Sequence, residues 1–201
     1  MEFVVDVQGF KKPYNEFVFK ELAITALGDD ALPSVFLFGP PYHWSSLPAK
    51  YKSENLWLTH NYHGISWGSG DIPQDEFAET LRNILHDASK VHVKGLEKQR
   101  WLKKYIKNVY NIEDLGCPSL LKLDLTNMLC NNYDKWQSCW KPMCAARNAV
   151  ALKNWLQHYY NTPVTEFYKE IGTAAAAEEE ANSTDSTDVL FDLRDYYNNI
   201  E

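Results

Sequence analysis

The stretch Phe3–Leu27, "FVVDVQGFKKPYNEFVFKELAITAL", decides how the rest of the chain is read. Two runs rich in Val, Phe and Ile flank a polar turn that contains Pro13, the pattern of a hairpin of two long strands. Asp6 and Gln8 stand two residues apart in the first run and so face the same side of a sheet. An acid set among valines is either a structural residue, held by a backbone amide or a lysine, or the first ligand of a site.

Reading outward, "SVFLFGPPY" supplies a third strand, stopped by prolines that cannot donate to a ladder. The segment "HWSSLPAKYKSENLWLTHNYHGISWGSGD" reads as a polar, aromatic-rich loop. A helix then opens at Asp71–Pro73 and runs through "PQDEFAETLRNILHDA", with Phe77, Leu81, Ile84 and Leu85 at helical spacing. "KVHVKG" is a short strand ended by Gly95. "LEKQRWLKKYIKNVY" reads as one helix, with Trp101, Leu102 and Tyr105 on its apolar face and Arg100, Lys103, Lys104 and Lys107 on the other. After a cysteine-bearing irregular stretch, "AARNAVALKNWLQHYY" is a strong helix. The expected fold is α/β: a mixed sheet opening with three antiparallel strands and flanked by helices.

The bulk numbers set limits on this reading. The chain has 201 residues, 45% of them hydrophobic, enough for one core and no more than one is required. Acidic residues number 27 and basic residues 20, so the net charge of -7 excludes a protein that coats nucleic acid over its whole surface. "TAAAAEEEANSTDSTD" offers no large apolar residue to offset its ordering entropy. The expected organisation is a domain over 1–170, an acidic linker over 172–188 and a short helical segment over 189–201 that could dock on a protein partner. No stretch approaches the roughly 20 apolar residues that cross a bilayer, and the N-terminus has no signal-peptide pattern. A cytoplasmic or nuclear protein that does not engage membrane is therefore expected.

The strand "FVVDVQG", the later strand "KVHVKG" and the helix entered through "MCAARNAVAL" together resemble the RNase H-like fold in its proofreading-type (DEDDh) 3′–5′ exonuclease branch, over roughly residues 1–160. That resemblance implies Asp-x-Glu on the first strand, an Asp after the fourth strand and His-x-Ala-x-x-Asp at the last helix, because two metal ions need converging carboxylates. Here Asp6 matches the first acid but Gln8 replaces the glutamate. The next acidic slot falls near Lys98, Gln99 and Arg100, while Met143 and Asn148 stand for the histidine and the last aspartate. Asp6, Gln8 and Asn148 are thus expected as remnants of a site that cannot hold two Mg or Mn ions, and the domain as a pseudoenzyme that acts by binding.

A narrower similarity is to the Maelstrom domain, an RNase H-like relative with a Glu-Cys-His-Cys zinc set. It implies Glu21, Cys130 and Cys144 as ligands; the histidine slot holds Tyr133, so Cys139 would have to serve as fourth ligand to a structural zinc. The same resemblance implies the rival function, an active nuclease on single-stranded RNA or DNA with a non-standard site. Against zinc stands the ordinary reading of free cysteines as small buried hydrophobes.

The remaining candidate is electrostatic. From Lys90 to Lys107 there are seven basic residues and one acid, Glu97, within a protein of negative net charge. Lys94, Arg100, Lys103, Lys104 and Lys107 are the expected contacts to a single-stranded nucleic acid. His60 and His63, three apart, are a weak ligand pair and more simply part of an aromatic loop that packs over the sheet.

Overall fold

The computed structural model describes residues 1–14, 16–123 and 143–163. The chain divides into two units, Met1–His158 and Tyr159–Glu201, and the first of them holds the whole sheet. The expected linker over 172–188 and helical segment over 189–201 lie outside the described residues, as does the boundary at 170.

Five strands form one mixed sheet in the order β3-β2-β1-β4-β5. Strands β1 (Glu2–Lys12) and β2 (Glu16–Ala26) are the expected hairpin, and β3 (Ser34–Leu37) adds antiparallel to β2. β4 (Lys90–Val93) lies parallel to β1, and β5 (Val109–Asn111) lies parallel to β4. The α/β class and the three-stranded antiparallel opening are therefore as the sequence predicts.

Alternation along β1 and β2 splits the sheet into two unlike faces. Val5, Val7, Leu22 and Ile24 point to the larger core, where helix α2 (Phe77–Leu85) brings Phe77, Leu81 and Leu85. Asp6, Gln8, Glu21 and Ala23 take the other face, where Ala145 and Ala149 of helix α4 (Ala145–Asn161) approach closely over Ala23. Small residues at that contact let the helix sit low enough to reach the polar row.

Three expectations are corrected. The segment read as a loop contains helix α1 (Ala49–Asn61), which follows Pro48. Its periodicity is hidden because it buries Asn55 and Thr59 and exposes Leu56 and Trp57. The segment read as one helix over 96–110 is helix α3 (Leu96–Leu102) followed by turns and by β5, since parallel pairing of Val109 with Val91 overrides local helical spacing. Arg100, Lys103, Lys104 and Lys107 consequently share an exposed segment rather than one helix face. Helix α2 also starts later than expected, at Phe77, because Pro73 first enters a 3-10 turn over Gln74–Glu76.

β1 runs on beyond its pairing with β4, which ends at Val4, and its pairing with β2 carries a bulge between Gln8 and Gly9. A Cβ at Gly9 would come 2.0 Å from the Val18 carbonyl oxygen, so only glycine fits there. Side chains bond the backbone of β1 in this stretch. Asn55 accepts from the Lys11 amide at 3.1 Å and donates to the Lys11 carbonyl at 2.9 Å. His63 Nε2 donates to the Gly9 carbonyl at 3.0 Å while its Nδ1 accepts from the Ile65 amide. His63 and Trp67 thus belong to a satellite core around Phe10, as the packing alternative for the aromatic segment requires. The buried Lys20 ammonium donates to the carbonyls of Trp67 and Ser69, and burial lowers its pKa to about 8. No helix among the described residues is long and apolar enough to cross a membrane.

Burial depresses the His63 pKa to about 4, with its bond to the Gly9 carbonyl opposing that shift. The folded state therefore binds fewer protons than the unfolded chain between the ordinary histidine value, about 6.5, and about 4. Stability supplied by neutral His63 is fully present above that range and is lost as pH falls through it. Urea unfolding at stepped pH should show this acid-side loss, and His63→Gln should flatten it; an unchanged slope in the variant would contradict the assignment.

Candidate functional site: a carboxylate neutralised from within

The polar row of the sheet converges on Asp6, which is wholly buried. Three elements bring partners to it. Lys98, on α3, places Nζ 2.5 Å from Oδ1. Asn148, on α4, donates Nδ2 to Oδ2 at 2.9 Å. Gln8, two residues along β1, directs Nε2 to the same oxygen at a longer 3.4 Å. The Lys98 side chain is 18% exposed, so the pair is screened only weakly. Burial acts against the ammonium, but the Asp6 carboxylate, with Tyr62 beside it, more than reverses this and holds the Lys98 pKa above its ordinary value.

Sequence reasoning places Asp6, Gln8 and Asn148 at one centre, and the structure brings all three together. Lys98, one of the residues near the expected acidic slot, is assigned no role by the sequence, whereas its ammonium is the cation of the site.

Glu21 sits directly across the hairpin from Gln8. Its Oε2 accepts from the Ala145 amide at 2.8 Å, which caps the start of α4, and its Oε1 lies 3.5 Å from the Cys144 thiol. Burial first, then Cys144 and Asp6, push the Glu21 pKa up to about 8 against the pull of the Ala145 amide, so Glu21 holds its proton at neutral pH. Two of the four expected zinc ligands, Glu21 and Cys144, are therefore in contact. The other two, Cys130 and Cys139, lie outside the described residues. Among the described residues no group of three or more His, Cys, Asp or Glu side chains stands close enough to share a metal ion.

The donor set around Asp6 does not fit two divalent ions. Gln8 and Asn148 turn amide N–H groups toward the carboxylate, and an ammonium occupies its remaining oxygen; a cation placed there would meet three donors and one acid. The Tyr62 carbonyl accepts at 2.8 Å from the amide of Met143, the residue at the position where the resemblance implies a histidine.

The expected nucleic-acid contacts separate into two groups. Lys94 is 10% exposed and is engaged by Glu113 at 3.0 Å and by the Cys117 carbonyl at 3.1 Å. Arg100, Lys103, Lys104 and Lys107 are exposed, and none forms an ion pair among the described residues.

Removing only one member of a buried ion pair strands the other charge, at a cost of about 3–5 kcal/mol. Lys98→Met should lose stability on that scale in urea unfolding. The double variant Asp6→Asn with Lys98→Met should recover more than half of the loss; additive losses would show that the two side chains do not act as a pair. No protein-family model and no curated protein sequence matches this chain, so the reading of its function rests on this geometry.

Proposed function

We propose that this chain is an RNase H-like domain, of the kind found in proofreading 3′–5′ exonucleases, in which an internal ion pair has replaced metal catalysis. On this reading it is a nucleic-acid-binding module and no longer an enzyme. The observation that carries the proposal is the Lys98 ammonium on Asp6. Phosphodiester hydrolysis of this type needs Lewis acids held by several carboxylates. Here the remaining acid of the first strand is already neutralised, and amides stand in place of two others.

Three features support the family assignment. The mixed sheet, with its three antiparallel strands β1, β2 and β3 at the start of the chain, is of the kind the resemblance implies. Asp6 lies on the central strand of the sheet. Lys98 and Asn148 approach it from α3 and α4, the elements that would carry the missing aspartates.

The binding half of the proposal rests on Arg100, Lys103, Lys104 and Lys107. Four exposed cations, with no ion-pair partner among the described residues, can release counterions from a phosphate backbone, which makes binding steeply salt-dependent. Lys94 is left out because Glu113 and Cys117 already hold it.

A second reading follows from the Glu21–Cys144 contact, which favours a Maelstrom-like site with structural zinc and residual nuclease activity. Elemental analysis of the purified chain separates the two readings. Stoichiometric zinc that is lost in Cys144→Ser, together with RNA cleavage that stops in Glu21→Ala, would favour the second.

Anisotropy titration with labelled single-stranded RNA and DNA tests the first. Binding should weaken steeply as salt rises from about 50 to about 200 mM, on the order of tenfold or more for several phosphate contacts. Lys103→Glu with Lys104→Glu should abolish most of it, and Mg or Mn should support no cleavage. Absence of binding at low salt, or cleavage lost on Asp6→Ala, would contradict the proposal.

A further inference from the structure

We infer that the tip of the β1–β2 hairpin is a base-stacking finger, with Tyr14 as its ring, so that the partner of the basic segment is a single strand with accessible base faces. This rests on the nucleic-acid reading proposed above and names the substrate class that the same surface would take.

Three independent observations meet at Tyr14. Its side chain is 94% exposed, more than any other large apolar side chain among the described residues. It is also the one described non-glycine residue with a positive φ, 66°. A bulky aromatic rarely occupies the left-handed region, where glycine or asparagine would sit without strain. Pro13, immediately before it, fixes its own φ and stiffens the entry to the turn. The result is an aromatic ring on a braced turn, removed from the core its chemistry would ordinarily seek.

The tip also stands beside the free cations. Phe17, at the start of β2, stacks on Trp101 of α3 with ring centroids 4.0 Å apart and planes 12° from parallel. Glu16 pairs with Lys12 at 2.6 Å and lies within electrostatic reach of Lys104. Through these contacts the hairpin end and the Arg100–Lys104 segment form one surface, with a ring at one end and phosphate-seeking cations at the other.

That pairing is the chemistry by which proteins hold single strands: cations track the backbone while an aromatic side chain takes the π-face of a base, with little dependence on sequence. In a duplex the base faces are already stacked on one another, so the cations could still bind it while Tyr14 would add nothing.

The test compares a labelled single-stranded oligonucleotide with the duplex of the same sequence, using the full chain. Tyr14→Ala should lower single-strand affinity about tenfold, leave duplex affinity unchanged and leave the salt slope unaltered, since no charge is removed. Tyr14→Trp should retain single-strand affinity. Tyr14→Gly, which relieves the left-handed backbone, should lower affinity without lowering the melting temperature, so a binding loss cannot be ascribed to unfolding. Unchanged single-strand affinity in Tyr14→Ala, or an equal loss on single strand and duplex, would overturn the inference. If Lys103→Glu with Lys104→Glu still abolishes binding in that case, the basic surface stands and only the stacking role fails; if the parent chain binds neither strand, the underlying reading fails instead.

Discussion

A carboxylate with no solvent exposure must be neutralised or hydrogen-bonded on both oxygens, and the arrangement around Asp6 follows from that requirement. One oxygen is taken by Lys98 and the other by Asn148, with Gln8 behind. These contacts join β1, α3 and α4, elements far apart in the chain. Asp6 thereby becomes a point at which the second half of the domain is fastened to the first strand, and a buried charge that would otherwise destabilise the sheet fixes where two helices dock.

The neighbouring polar groups show the same economy. Glu21, on the adjacent strand, uses one carboxyl oxygen to cap the first turn of α4 and turns the other to Cys144. Because it keeps its proton at neutral pH, the row contains one ion pair and one neutral acid rather than two competing anions. Farther along β1, beyond its pairing with β4, the side chains of Asn55 and His63 bond the backbone of Lys11 and Gly9. Each device handles a backbone or side-chain polar group that the sheet leaves open, and each is specific to one residue type.

The hairpin, β3, β4, α2 and α4 were legible in the sequence because valine-rich runs and regular apolar spacing reflect burial directly. Helix α1 was not, since its buried positions include Asn55 and Thr59, chosen for hydrogen bonds, while Leu56 and Trp57 face outward. Strand β5 was obscured for a different reason: Val109 continues a helical apolar period, and only parallel pairing with β4 makes Val109–Asn111 a strand. At the site, Asp6, Gln8 and Asn148 could be grouped by motif position. The meaning of Lys98 emerges only when its ammonium is placed 2.5 Å from Asp6, because an ion pair across 92 residues leaves no local pattern.

The most direct test of the account is a calorimetric titration of the full chain with manganese, paired with the same titration of Asp6→Asn. If Lys98 has taken the metal's place, the two titrations should superimpose, and any weak binding by surface acids should be equal in both. Saturable binding present in the parent chain and lost in Asp6→Asn would show that a divalent ion displaces the ammonium, and would contradict the account.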